Sequence, residues 1–117
     1  MAKFGGTHIF GDIRTDEYRL LIEPDLVIDK ITQIITNHGF TVMGHLPIPF
    51  PNGAYTHMIG LGESHFTIHT EPENKKAALD LYTCSYSRDN TRATRKAMRE
   101  IIKLFNPKRS KMTFNKR

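Results

Sequence analysis

At 117 residues, with 38% apolar and 25% charged side chains, the chain has the size of one domain, residues 1–117, with a small core. The formal charge of +5 would suit anionic partners, but the excess is spread over a basic helix and the C-terminal segment, so neither a nucleic acid nor a membrane is the expected partner. The single cysteine excludes an internal disulfide framework and a cysteine-rich zinc site, no run reaches the roughly 18 apolar residues of a membrane span, and Met1 to Phe10 lacks the apolar core of a secretion signal. A reducing, cytoplasmic setting follows as the default.

In chain order, Gly6 to Ile13 reads as a first strand. Asp16 to Glu23 is a polar connection around Leu20, Leu21 and Ile22. Pro24-Asp25 signals a helix start with Asp25 as N-cap, and Val27, Ile31, Ile34 and Ile35 recur at helical spacing. Asn37-His38-Gly39 closes that helix, with Gly39 in the left-handed position. Phe40 to His45 is a second strand, after which Pro47, Pro49 and Pro51 are expected to break regular pairing before an Asn52-Gly53 turn. Tyr55 to Leu61 is a third strand.

From Ser64 to Thr70 the pattern alternates: Ser64, Phe66, Ile68 and Thr70 on one face, His65, Thr67 and His69 on the other. A polar turn around Pro72 leads into a strand over Ala77 to Tyr86, with Leu79, Leu81 and Thr83 opposed to Asp80, Tyr82 and Cys84. Asp89-Asn90 opens a second helix with an apolar stripe of Ala97, Ile101, Leu104 and Phe105 and a wet face of Arg92, Arg95, Lys96, Arg99 and Lys103. Asn106-Pro107 ends it, and Lys111 to Phe114 is a short last strand. The expected fold class is α+β: a two-layer sandwich, a mostly antiparallel sheet with two helices on one face.

The polar residues between Glu63 and Cys84 carry whatever chemistry the chain has. Ser64 and His69 could be nucleophile and base, but an ideal strand points them to opposite faces, so a hydrolytic dyad needs a bulge, and no Gly-x-Ser-x-Gly elbow is present. His65 and His69, four apart, suit a metal on a helix and not on a strand, so no metal is expected. Cys84 alone reads as a small buried hydrophobe as readily as a nucleophile. Taken by themselves, these residues define only an α+β domain with a polar cluster.

Glu63-Ser64-His65-Phe66-Thr67-Ile68-His69-Thr70-Glu71-Pro72-Glu73 resembles the motif Glu-Ser-His-x-x-x-His-Thr-Trp-Pro-Glu of the prokaryotic-type S-adenosylmethionine decarboxylase proenzymes. Ala77-Ala78-x-Asp80-x-Tyr82-Thr83-Cys84 is similar to that family's next segment, with no gap between the two, and the opening Gly6-x-His8 looks similar too. The resemblance implies self-cleavage between Glu63 and Ser64 into a 1–63 and a 64–117 chain. A pyruvoyl group would then replace Ser64 and serve as a covalent cofactor and electron sink for decarboxylation. It implies that His69 assists processing, with Thr56 as the hydroxyl residue of the preceding strand, and that Cys84 donates the product's proton. It implies that Glu73 holds the ribose hydroxyls, that Phe50 stacks on the adenine, and that the processed protomers form a homodimer. The product would feed aminopropyl groups into polyamine (spermidine) synthesis.

One departure stands out: Glu71 replaces the family tryptophan and would favour a cationic substrate end if it faces the pocket. The same chemistry on ornithine or arginine is therefore an alternative. So is an unprocessed paralogue with a regulatory or binding role, although such a copy would be free to lose Ser64, His69 and Cys84. Nucleic-acid binding through Arg92 to Arg99 and Lys108 to Arg117 would show steeply salt-dependent affinity.

Overall fold

The computed structural model describes residues 5–62, 64–85 and 88–117. Six strands form one sheet: β1 (Gly6–Arg14), β2 (Val42–Pro49), β3 (Tyr55–Leu61), β4 (Ser64–Glu71), β5 (Lys76–Cys84) and β6 (Arg109–Lys116). Their order is β2-β3-β4-β5-β1-β6, and every neighbouring pair is antiparallel. The first strand in sequence therefore lies between the last two. Helices α1 (Ile28–Asn37) and α2 (Thr91–Leu104) lie on one side of the sheet, giving the expected two-layer α+β sandwich.

Alternation decides which side of each strand is dry. On β5, Ala77, Leu79, Leu81 and Thr83 are buried while Ala78, Asp80, Tyr82 and Cys84 are half-exposed. The buried set joins Phe66 and Ile68 of β4, Ile9 and Ile13 of β1, Ile31 and Ile35 of α1, and Ala97, Met98 and Ile101 of α2 in one core. Each fully buried isoleucine or phenylalanine there contributes about 1.5–3 kcal/mol. Among the described residues no helix covers the other side of the sheet, and Leu46, Ile48 and Met58 remain exposed there.

Several sequence expectations need correction. Asp25 does not cap α1. Pro24–Leu26 forms a tight 3₁₀ turn instead, and α1 begins at Ile28 with Val27 in the cap position and no side-chain cap bond. Burial of Val27 and Ile28 sets that start, while Asp25 stays in water. The prolines do not break β2, which runs from Val42 through Pro49 with Pro47 opposite His57 and Pro49 opposite Tyr55. An edge strand pairs on one side only, so a residue without an N–H can face outward at no cost to the ladder. The last strand is longer than Lys111 to Phe114, and Tyr86, placed in a strand from sequence, lies outside the described residues. Gly39 does take the left-handed conformation after α1, with φ of 92°.

Candidate active site

β3 and β4 pair without a register shift from Thr56↔His69 to Leu61↔Ser64. Only residues 62 and 63 therefore join the two strands. Glu63 lies outside the described residues. Ser64 is the first residue of β4, half-buried, on the helix side with Phe66. Its Oγ accepts a hydrogen bond from the backbone N–H of Cys84 at 2.9 Å. Cys84 ends β5 directly opposite Gly6, with its side chain on the open face. Serine hydroxyl and cysteine backbone are thus joined across the ends of adjacent strands.

His69 sits at the far end of β4, on the open face. Because β4 contains no bulge, His69 stands five residue steps of strand from Ser64, about 17 Å. No Ser64–His69 dyad forms within one chain, because β4 runs from Ser64 to His69 without the bulge that a dyad would need. His69 instead meets Thr56, its cross-strand partner, with Nδ1 and the threonine Oγ1 2.7 Å apart. The Phe50 ring stands edge-on to His69, centroids 6.1 Å apart at 87°. Phe50, Pro51, Asn52, Ala54, Glu71 and Glu73 line an open cleft of about 340 Å³ beside that imidazole.

Asn52 is a residue that the sequence reading passed over as a turn former. Its Oδ1 accepts the Ala54 N–H at 3.1 Å and its Nδ2 reaches Glu73 at 3.5 Å, so it both closes the turn and faces the carboxylate. The Asn-Gly pair signalled the turn; nothing in one sequence signalled the partner 21 residues on. Glu71 reaches Lys76 at 3.7 Å, a lysine it shares with Asp12 at the same distance, and accepts from Asn74 at 3.3 Å, so a cation of the chain partly answers its charge.

His65 and His69 engage different partners. His65 and His8 both reach Asp80, while His69 is taken by Thr56. On the helix side, His57 is buried and its Nε2 lies 2.8 Å from His45 Nδ1. Burial, helped by the neighbouring imidazole, holds His57 below the ordinary histidine pKa.

The residues present fit a group formed at position 64. The serine that would give rise to it is at a hairpin end, held by a backbone donor, with the chain's only cysteine on the adjoining strand end. Fold and site together define a class: a small two-layer α+β protein with Ser and Cys paired at one end of its sheet and a His–hydroxyl pair at the other. Comparison with known proteins narrows it. A family model described as S-adenosylmethionine decarboxylase matches residues 7–117. The S-adenosylmethionine decarboxylase proenzyme of Persephonella marina is 36% identical over 110 residues, covering 93% of this chain and 79% of that one. The one from Archaeoglobus fulgidus is 26% identical over 102 residues, 87% of this chain and 88% of its own. The crystal structure of the adenosylmethionine decarboxylase from Aquifex aeolicus superposes with a TM-score of 0.85 at 26% identity, covering 99% of this chain and 92% of that one. The chain belongs to the S-adenosylmethionine decarboxylase family of enzymes. No helix among its described residues is long and apolar enough to cross a membrane.

Proposed function

We propose that the chain cuts itself between Glu63 and Ser64 and, as a pyruvoyl enzyme in the cytoplasm, decarboxylates S-adenosylmethionine to supply aminopropyl groups for polyamine (spermidine) synthesis. The observation that carries this is the Ser64–Cys84 contact at the strand ends, within a chain of this family. In the first step Ser64 Oγ bonds to the Glu63 carbonyl carbon as the peptide C–N bond breaks, giving an ester and a free amine. Removal of the Ser64 Cα proton then breaks Cβ–Oγ, so that Glu63 leaves as a carboxylate carrying that oxygen. Water releases the amine as ammonia and leaves the pyruvoyl group.

A base must take the Cα proton. The His69–Thr56 pair suits that step, but it stands about 17 Å along the strand from Ser64 of its own chain. Two copies stacked open face to open face about a twofold axis would bring the His69 end of one to the Ser64–Cys84 end of the other. The exposed Leu46, Ile48 and Met58 would be covered by the same contact. The site is therefore proposed to be complete only in a homodimer.

The pyruvoyl group supplies an electron-withdrawing carbonyl that accepts the charge left by departing CO₂. The chain's own residues do the rest. Cys84 gives a proton to the product carbon. Glu73 accepts hydrogen bonds from ribose hydroxyls, Asn52 orients it, and the Phe50 ring offers a stacking face for adenine. Lys76, shared with Asp12, partly offsets the charge of Glu71, which favours the adenosyl substrate over ornithine or arginine. An adenosyl-bearing competitor should block turnover, whereas one that leaves it untouched would favour a basic amino acid.

Intact mass under denaturing conditions is the test. Two fragments parted between Glu63 and Ser64, the second without a free amine, are expected, together with a single uncut chain for Ser64→Ala. An uncut parent chain would point to a regulatory or binding role instead.

A further inference from the structure

The open face beside Cys84 carries a side-chain unit to which the proposed reaction has so far given no part. Gly6 lies directly opposite Cys84. A Cβ built on Gly6 would fall 2.8 Å from both Cε1 and Oη of Tyr82, so the phenol extends over Gly6 into the row of Cys84. Directly opposed Cβ positions on antiparallel strands lie about 5 Å apart, so the phenol oxygen and the Cys84 side chain flank the same short stretch of the open face, with room for a water between them.

Tyr82 is held from several sides. His8 of β1 and His65 of β4 are its two cross-strand partners, with ring centroids at 5.9 Å and 5.8 Å. The Arg117 guanidinium stands 4.9 Å above its ring. One oxygen of Asp80 receives both imidazoles, His8 Nε2 at 2.9 Å and His65 Nε2 at 3.2 Å. A carboxylate only accepts, so each ring donates its Nε2–H and keeps Nδ1 for proton exchange. Cys84 is the diagonal neighbour of both histidines on the same face.

We propose that Tyr82, held by the His8–Asp80–His65 unit, is a positioning residue that restores the proton of Cys84 between turnovers. Once Cys84 has given its proton to the product, the thiolate takes one that the Tyr82 hydroxyl passes on through an intervening water. The phenolate takes one from an adjoining imidazolium, and the imidazole is recharged at Nδ1 from water. Protons balance, and nothing is oxidised or reduced. The inference rests on Cys84 being the acid of the proposed decarboxylation.

The test compares the parent with Tyr82→Phe, which keeps the ring and removes the hydroxyl, and with Gly6→Ala, which fills the phenol's seat. Because Cys84 is the only cysteine, iodoacetamide alkylation reports on it alone. Its rate is followed against pH, beside kcat, KM and the extent of cleavage. Expected are normal cleavage, a displaced pH profile of alkylation, and a several-fold lower kcat at unchanged KM that imidazole buffer partly restores in Tyr82→Phe. An unchanged alkylation profile or an unchanged kcat in Tyr82→Phe overturns the proposal. A parent chain that neither cleaves nor decarboxylates overturns the functional reading, and the proton-return role with it; the parent alone reports that outcome.

Discussion

Thr56 gives His69 its short hydrogen bond on the sheet, and its removal separates orientation from basicity. A neutral hydrogen bond contributes about 0.5–1.5 kcal/mol, so Thr56→Val should slow self-cleavage by up to about tenfold while leaving it complete at long times. A time course of intact mass checks this, and an unchanged rate would show that Thr56 plays no part. Cys84→Ala should cleave like the parent but lose about 10²–10⁴ in turnover, the usual contribution of a positioned acid; normal turnover would assign the proton to another group. His57 has a different signature. Its folded pKa is depressed by burial, so the unfolded chain takes up a proton first as the solution is acidified. The stability it contributes is present above the unfolded histidine pKa and is lost as pH falls through and below about 6.5. The urea midpoint should therefore drop between pH 7.5 and 5.5, and His57→Gln should flatten that dependence; an equally steep variant would place the titration elsewhere.

The strands were legible as elements wherever alternation was clean, as in β4 and β5, because each buries a single face against the helices. Their place in the sheet was not. Whether Pro47 and Pro49 end a strand or ride on it depends on β2 being an edge, and that is a property of the assembled sheet. The motif drew attention to Ser64, His69 and Cys84, and the period of two set Ser64 and His69 on opposite faces. The run of β4 without a bulge, which keeps them apart, had to be seen. The Asp80 junction of His8 and His65 was hidden because its members come from three strands. A similar cross-element tie joins β5 to α2, where Thr83 Oγ1 and Thr94 Oγ1 meet at 2.6 Å, both fully buried, and Thr94 donates onward to the Asn90 carbonyl at 2.7 Å. Thr94→Val keeps the shape and leaves the Thr83 hydroxyl without its acceptor, which should cost about 1–3 kcal/mol in urea unfolding. A neutral result would mean that water or a rotated hydroxyl replaces the bond.

For the whole molecule, the proposed pairing through the open sheet face would limit what one copy can do alone. A Ser64→Ala chain keeps His69, and a His69→Ala chain keeps Ser64. Co-expressed, they should yield cut His69→Ala chains if the site is shared between copies; cleavage in neither would confine the reaction to one chain. The expected oligomer is a dimer by sedimentation, and Met58→Asp on the open face should yield monomers that stay uncut. The strand order carries one more consequence. β1, β2, β3 and α1 lie before residue 64, and β4, β5, α2 and β6 after it, yet β1 is inserted between β5 and β6. Severing the backbone at the hairpin tip would leave two polypeptides that neither builds a sheet alone nor slips past the other. While folded, the cut protein would behave as one body. After melting, its return would need two separate chains to meet, so recovery would depend on protein concentration where that of the uncut precursor would not. Maturation would thus exchange a reversible fold for one that is assembled once and afterwards preserved by the slowness of its unfolding.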